Sequence, residues 1–198
     1  MRLKMICFVQ FRNCIGCTKL LTSELYREVR MSKRVFYQYY VEGPDDKCVL
    51  NALKSELRCI ESGKVEIFNV VQERFNAARI RTLKQNTVVI LVYDTDVEVT
   101  DTLRWNINFL NKQSVVKEVL CIPQVKNLEE ELKYACQVKH IGEITHSNTK
   151  TDYKRDLIKC TNLANRLKAC KFDAARMWSR SAINTFNEFG NDAEKIKL

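Results

Sequence analysis

Glycine and proline are scarce in this 198-residue chain, at five and two, and no stretch is dominated by one residue type. With 45% hydrophobic residues, that composition excludes a low-complexity or disordered chain and suits one domain with a sizeable core. No apolar run has the length of a membrane span. Met5 to Phe11 is broken by Gln10, is followed by Arg12, and has no small-residue cleavage site behind it. The chain therefore reads as cytoplasmic, with no membrane partner.

Histidine is nearly missing as well. His140 and His146 share a polar stretch with no triad partner in view. Cysteine is plentiful but odd in number, at nine, and Cys48, Cys121, Cys136 and Cys160 fall at apolar positions of predicted elements. Such thiols behave as small hydrophobes in a reducing compartment, not as a disulfide framework. Cys14-Ile15-Gly16-Cys17, with Cys7 ahead of it, has half of a zinc-knuckle spacing, yet no second pair follows.

Charge is unevenly spread. Residues 1–34 carry eight basic against two acidic side chains, residues 35–149 fourteen against sixteen, and residues 150–198 eleven against six. An acidic centre between basic flanks suits a cation site framed by surfaces attractive to phosphate, and surplus Lys and Arg on solvated helices is the plainer explanation.

Two stretches organise the centre. Val35 to Val41 is rich in β-branched and aromatic residues and runs into Glu42-Gly43-Pro44-Asp45-Asp46; Thr87 to Tyr93 is almost wholly apolar and runs into Asp94-Thr95-Asp96. Short, nearly continuous apolar runs are expected of inner parallel strands covered on both faces. Leu50, Leu53, Leu57 and Ile60 predict a helix ended by Ser62-Gly63; Lys64–Val71 a strand; Gln72–Lys84 a basic helix; Asp101–Lys112 a helix; Val115–Ile122 a strand. The alternation predicts an α/β fold with a doubly wound, mainly parallel four-stranded sheet flanked by helices. Parallel neighbours then bring Glu42, Asp94 and Asp96 to one sheet edge.

After Pro123 the pattern turns helical. Leu128, Leu132, Ala135 and Cys136 define a helix capped by Asn127, and of its acids Glu129 is the best placed to turn toward the sheet edge. Residues 139–152 read as a polar loop, Tyr153 to Leu167 as one long amphipathic helix, and Ala174 to Phe189, with Met177, Trp178, Ile183 and Phe186, as a last helix. An apolar stripe on these C-terminal helices would permit a homodimer. The organisation is thus residues 1–30 as an N-terminal extension, 31–125 as the core and 126–198 as a helical C-terminal extension. Met31 stands immediately before the first core strand as an alternative start.

Three clustered carboxylates need a cation or a shared proton, and all-oxygen donors favour Mg²⁺ or Mn²⁺. Phosphoryl transfer is the chemistry that such an ion serves. At these residues the sequence resembles the Toprim family, which places a Glu-Gly after the first strand and an Asp-x-Asp after the third; here these are Glu42-Gly43 and Asp94-Thr95-Asp96, within roughly Val35 to Ile122. The resemblance implies that Glu42 is a general acid/base or shares a metal, and that Asp94 and Asp96 bind Mg²⁺ or Mn²⁺. Asn127-Leu128-Glu129 is similar to the Asn-x-Glu of OLD-like nucleases, which implies Glu129 as a further ligand; three acids on a solvated first helical turn explain it equally. Asp45, Asp46 and Asp101 have helix-capping explanations.

Lys150, Lys154, Arg155 and Arg180 are the candidate contacts to nucleic-acid phosphate. The chain has no Walker A stretch, zinc ribbon or topoisomerase arch. The resemblance therefore implies a free-standing metal-dependent nuclease acting on RNA or DNA, suited to phage defence with a separately encoded regulator or ATPase. A noncatalytic Toprim-like module that binds nucleic acid or protein is the alternative. Phosphotransfer from Asp94 fits less well, because Glu98 stands where the haloacid-dehalogenase pattern has Thr or Val.

Overall fold

Alternation along three strands builds the centre of the molecule. In the computed structural model, which describes residues 34–147, 149, 152–182 and 185–198, strands β1 (Phe36–Val41), β2 (Lys64–Ile67), β3 (Thr87–Asp94) and β4 (Val116–Gln124) form one sheet. Their order is β2-β1-β3-β4 and every pairing is parallel. Tyr39, Val41, Val88, Ile90, Val92, Leu120 and Ile122 enter one hydrophobic cluster, while Tyr40, Val89, Leu91, Tyr93 and Cys121 enter another. Successive strand residues point to opposite faces. The sheet is therefore covered on both sides, as its continuous apolar runs require.

Helices α1 (Pro44–Asn51), α2 (Ala77–Ile80) and α3 (Asp101–Asn111) make the crossovers. Val49 and Leu50 of α1 belong to the first cluster; Ile80 of α2 and Leu103 and Leu110 of α3 belong to the second. The chain thus leaves β1 toward one side and comes back to β3 on the other, which makes the gap between these strand ends the topological switch point. Residues 35–198 form one compact unit, which includes the core and the predicted C-terminal extension.

Several predicted elements are shorter than their patterns suggest, for identifiable reasons. The first helix continues through a π-helical segment, Ala52–Leu57, and stops at Arg58 in the left-handed conformation; Ile60 instead pairs with Lys197. The strand predicted over Lys64–Val71 stops at Ile67, because the Asn69 side chain accepts the N–H groups of Val71 and Gln72, each at 3.0 Å. The basic helix predicted over Gln72–Lys84 shrinks to α2. Buried Asn106 accepts from Phe75 N–H and donates to the carbonyls of Val70 and Glu73, all at 2.8 Å, and so holds the incoming chain in a non-helical path.

The C-terminal part differs most. Helix α4 (Leu128–Cys136) begins as expected, with Asn127 Oδ1 accepting from Glu130 N–H at 3.1 Å. The predicted polar loop contains a short helix, α5 (Gly142–Thr145), and the long helix is two: α6 (Tyr153–Lys159) and α7 (Leu163–Ala169), separated where Cys160 is extended. Tyr153, Leu157, Ala164 and Leu167 of the predicted stripe are buried within the chain's own fold.

In place of the last helix come turns and two 3₁₀ segments, Thr185–Phe189 and Ala193–Lys195. Glu131 explains the loss: fully buried, it accepts from Val125 N–H at 2.8 Å and Trp178 N–H at 3.1 Å, and pairs with Arg180 at 2.9 Å. Trp178, itself fully buried, is thereby held at φ 56°, outside helical geometry. Ile183, Lys150 and the whole of residues 1–30, with Cys7 and Cys14 to Cys17, lie outside the described residues. Among the described residues no helix is long and apolar enough to cross a membrane.

Because Asn106 satisfies three backbone groups, Asn106→Leu should destabilise the protein by on the order of 3 kcal/mol, read as a lowered urea midpoint at unchanged slope. A midpoint like that of the parent protein would show that these groups find other partners.

Candidate active site

The carboxylates meet where β1 stops and β3 continues. Glu42 follows the last residue of β1, and its Oε1 accepts the N–H of Asp94 at 3.1 Å, standing in for the strand partner that β1 no longer supplies. Its Oε2 accepts from Asn69 Nδ2 at 3.1 Å. Asn69 is anchored in turn by the two N–H groups on its own Oδ1, so the Glu42 side chain is held from both ends. The expected positions of Glu42, Asp94 and Asp96 thus fall in one place: all three line a cleft of about 480 Å³ at the carboxyl edge of the sheet.

Asp45 and Asp46 line it too, and both are buried despite their place in the first turn of α1. Asp46 accepts from Gly43 N–H at 3.0 Å and from Gln124 Nε2, at the end of β4, at 2.9 Å. The capping explanation for Asp46 therefore holds alongside its place in the cleft. A Cβ on Gly43 would lie 2.4 Å from Asp45 Oδ1, so a larger residue there would displace that carboxylate. The floor is stitched by Thr95, whose N–H donates to Lys126 carbonyl at 3.0 Å and whose hydroxyl donates to Gln124 carbonyl at 2.8 Å.

Burial and mutual repulsion set the proton affinities. Glu42 is raised to about 7, chiefly by burial; the Asp94 N–H and Lys154 oppose the rise, and Asp46 and Asp96 add to it. Asp94 is pushed up to about 8 by burial and then by Glu42, Asp46 and Asp96. Asp46 stands at about 6 through burial and the neighbouring Asp45. One cation answers them: Lys154 on α6 pairs with Asp45 at 3.4 Å. Partial burial opposes its charge, and the surrounding carboxylates outweigh that and hold its proton more tightly than usual. Tyr153 and Ile158, on the same helix, complete the far wall.

The remaining expected residues lie elsewhere. Glu129 does not line the cleft: it pairs with Lys133 at 3.6 Å and lines a neighbouring cavity, while still acting on Tyr153 of the cleft wall, whose proton affinity burial raises and Glu129 helps to raise. The buried acid of α4 is Glu131, which binds backbone and Arg180. Arg180 is accordingly engaged inside the fold rather than free for phosphate, and Arg155 pairs on the surface with Asp152 and Asp156 at 3.0 and 3.1 Å. Asp101 is exposed and pairs with Arg104.

Sequence reasoning passed over Asn69, Gln124 and Tyr153. The one available signal for Asn69 is a lone polar residue inside the apolar run Ile67-Phe68-Asn69-Val70-Val71.

The donor set fits a hard divalent ion: five carboxylates and two asparagines around one polar cleft, with the Asp94 carboxylate accepting no hydrogen bond among the described residues. No three His, Cys, Asp or Glu side chains among the described residues stand at direct-ligand spacing. Comparison with family models, curated proteins and solved structures yields no match for this chain.

The raised values have a thermodynamic consequence. The folded cluster binds more protons than the unfolded chain between about pH 4 and 8, so stability is full below that window and falls as pH rises through it. The metal-free protein should lose several kcal/mol between pH 5 and 8, and Mg²⁺ should restore most of it at pH 8. Thermal melts in EDTA and in Mg²⁺ give the measurement; a melting point that rises with pH in EDTA would contradict the clustering.

Proposed function

We propose that the chain is a Mg²⁺- or Mn²⁺-dependent nuclease with a Toprim-like core, hydrolysing phosphodiester bonds in RNA or DNA. The observation that carries this reading is the meeting of Glu42 and Asp94 at the switch point of a parallel sheet, with Asp45, Asp46 and Asp96 in the same cleft. Asp94 and Asp96 would hold the ion, with Glu42 sharing it or acting beside it. Bound there, the ion supplies charge neutralisation for the phosphate oxygens and a lowered proton affinity for water.

The chain's own residues do the rest. Glu42, held near neutrality at about 7, can take a proton from the attacking water and later release it, and Asn69 fixes the carboxylate in that task. Lys154 is placed to exchange Asp45 for a phosphate oxygen when substrate enters, stabilising charge that grows in the transition state. The cleft volume of about 480 Å³ matches a nucleotide-sized ligand. Phage defence with a separately encoded regulator or ATPase remains the biological setting we favour, on the sequence resemblance.

One observation favours a second reading, a noncatalytic module that binds nucleic acid or protein: the carboxylates do not already converge as three direct ligands. Activity separates the two. With Mn²⁺, tRNA, ribosomal RNA or DNA should be cleaved; EDTA should abolish cleavage, and Glu42→Gln or the paired Asp94→Asn and Asp96→Asn changes should reduce it by at least about 10²-fold. Metal-independent binding without cleavage across that panel would establish the second reading instead.

A further inference from the structure

Helix α4 forms part of the cleft with its first residue and then leads away from it. Leu128 lines the cleft; Glu129 and Lys133 line a second cavity of about 310 Å³; Glu130, Lys133 and Tyr134 line a third of about 440 Å³. Lys133 and Lys139 border both of the latter. Arg176 and Arg180 close the far wall, with guanidinium carbons 4.3 and 4.6 Å from the centroid of the Tyr134 ring.

The charges are not equally engaged. Lys133 neutralises Glu130 at 2.6 Å and Glu129 at 3.6 Å, and Arg180 pairs with buried Glu131. Lys139 and Arg176 pair with no carboxylate among the described residues, and Arg176 spends only its Nε on the Tyr134 carbonyl, at 3.1 Å. Two uncommitted cations on one surface cavity, Lys139 and Arg176, are complementary to a polyanion.

We propose that the groove lined by Lys133, Tyr134, Lys139 and Arg176 binds a single nucleic-acid strand by its phosphodiester backbone, with Lys139 and Arg176 as the phosphate contacts. This rests on the nuclease reading for the choice of nucleic acid as the polyanion. Because the Tyr134 ring is already packed with guanidinium groups, recognition is of the backbone and not by base stacking.

The test is fluorescence anisotropy of the full chain in EDTA, where no cleavage interferes, with a labelled single-stranded 12-mer over a salt series. Lys139→Gln and Arg176→Gln should each weaken binding and lower the salt slope by roughly one, while Arg176→Lys should keep most of the slope. Lys139 is exposed, so its variant stands even if the Arg176 change perturbs folding. Unchanged affinity and slope for Lys139→Gln, or tighter binding of duplex or of poly-glutamate than of the single strand, would overturn the groove. That result leaves Mn²⁺-dependent cleavage untouched, and failure of cleavage leaves the groove standing.

Discussion

Like charges brought together by parallel strands are the constraint on which this molecule turns. A sheet of order β2-β1-β3-β4 directs the carboxyl ends of β1 and β3 to the same edge, and both continue into acids. Left alone, those acids would repel. They are held by an N–H of Asp94, an amide of Asn69, an amide of Gln124 and the ammonium of Lys154. Buried polar groups that are only partly satisfied persist where function needs them, and the cost appears here as the raised proton affinities of Glu42, Asp46 and Asp94.

The frame around this edge explains its rigidity. Strands covered on both faces leave little room for Glu42 to move, and Asn69 fixes the carboxylate because the same side chain ends β2. Glu131 performs a comparable task in the C-terminal part. By tying Val125, Trp178 and Arg180 together, it fastens the start of α4 to the last turns of the chain. The wall of the cleft and the outer groove therefore share one helix. Movement of α4 would alter both.

The four strands and their parallel arrangement were legible from apolar runs, because a strand buried on both faces has a distinctive sequence, and the acids at the ends of β1 and β3 followed from that; the order of the strands in the sheet was not. Helix lengths were not legible. The run from Gln72 to Lys84 has helix-forming residues, yet buried Asn106, distant in sequence, takes its backbone groups. The stripe at Met177, Trp178 and Phe186 has helical spacing, yet Glu131 captures Trp178 N–H and turns the chain. On α4, wheel geometry favoured Glu129 for the cleft, whereas backbone donors at Val125 and Trp178 drew Glu131 inward and Lys133 drew Glu129 away. In each case a long-range polar contact overrode local pattern, and single-sequence periodicity contains no information about such contacts.

The central claim is that these acids jointly hold a hard dication. Anomalous diffraction from a crystal soaked in Mn²⁺ tests it most directly. A peak within reach of Asp94 and Asp96, with Glu42 bound to the ion or to one of its waters, is the predicted result. An empty cleft at millimolar Mn²⁺, or a peak only at some other carboxylate, would contradict it.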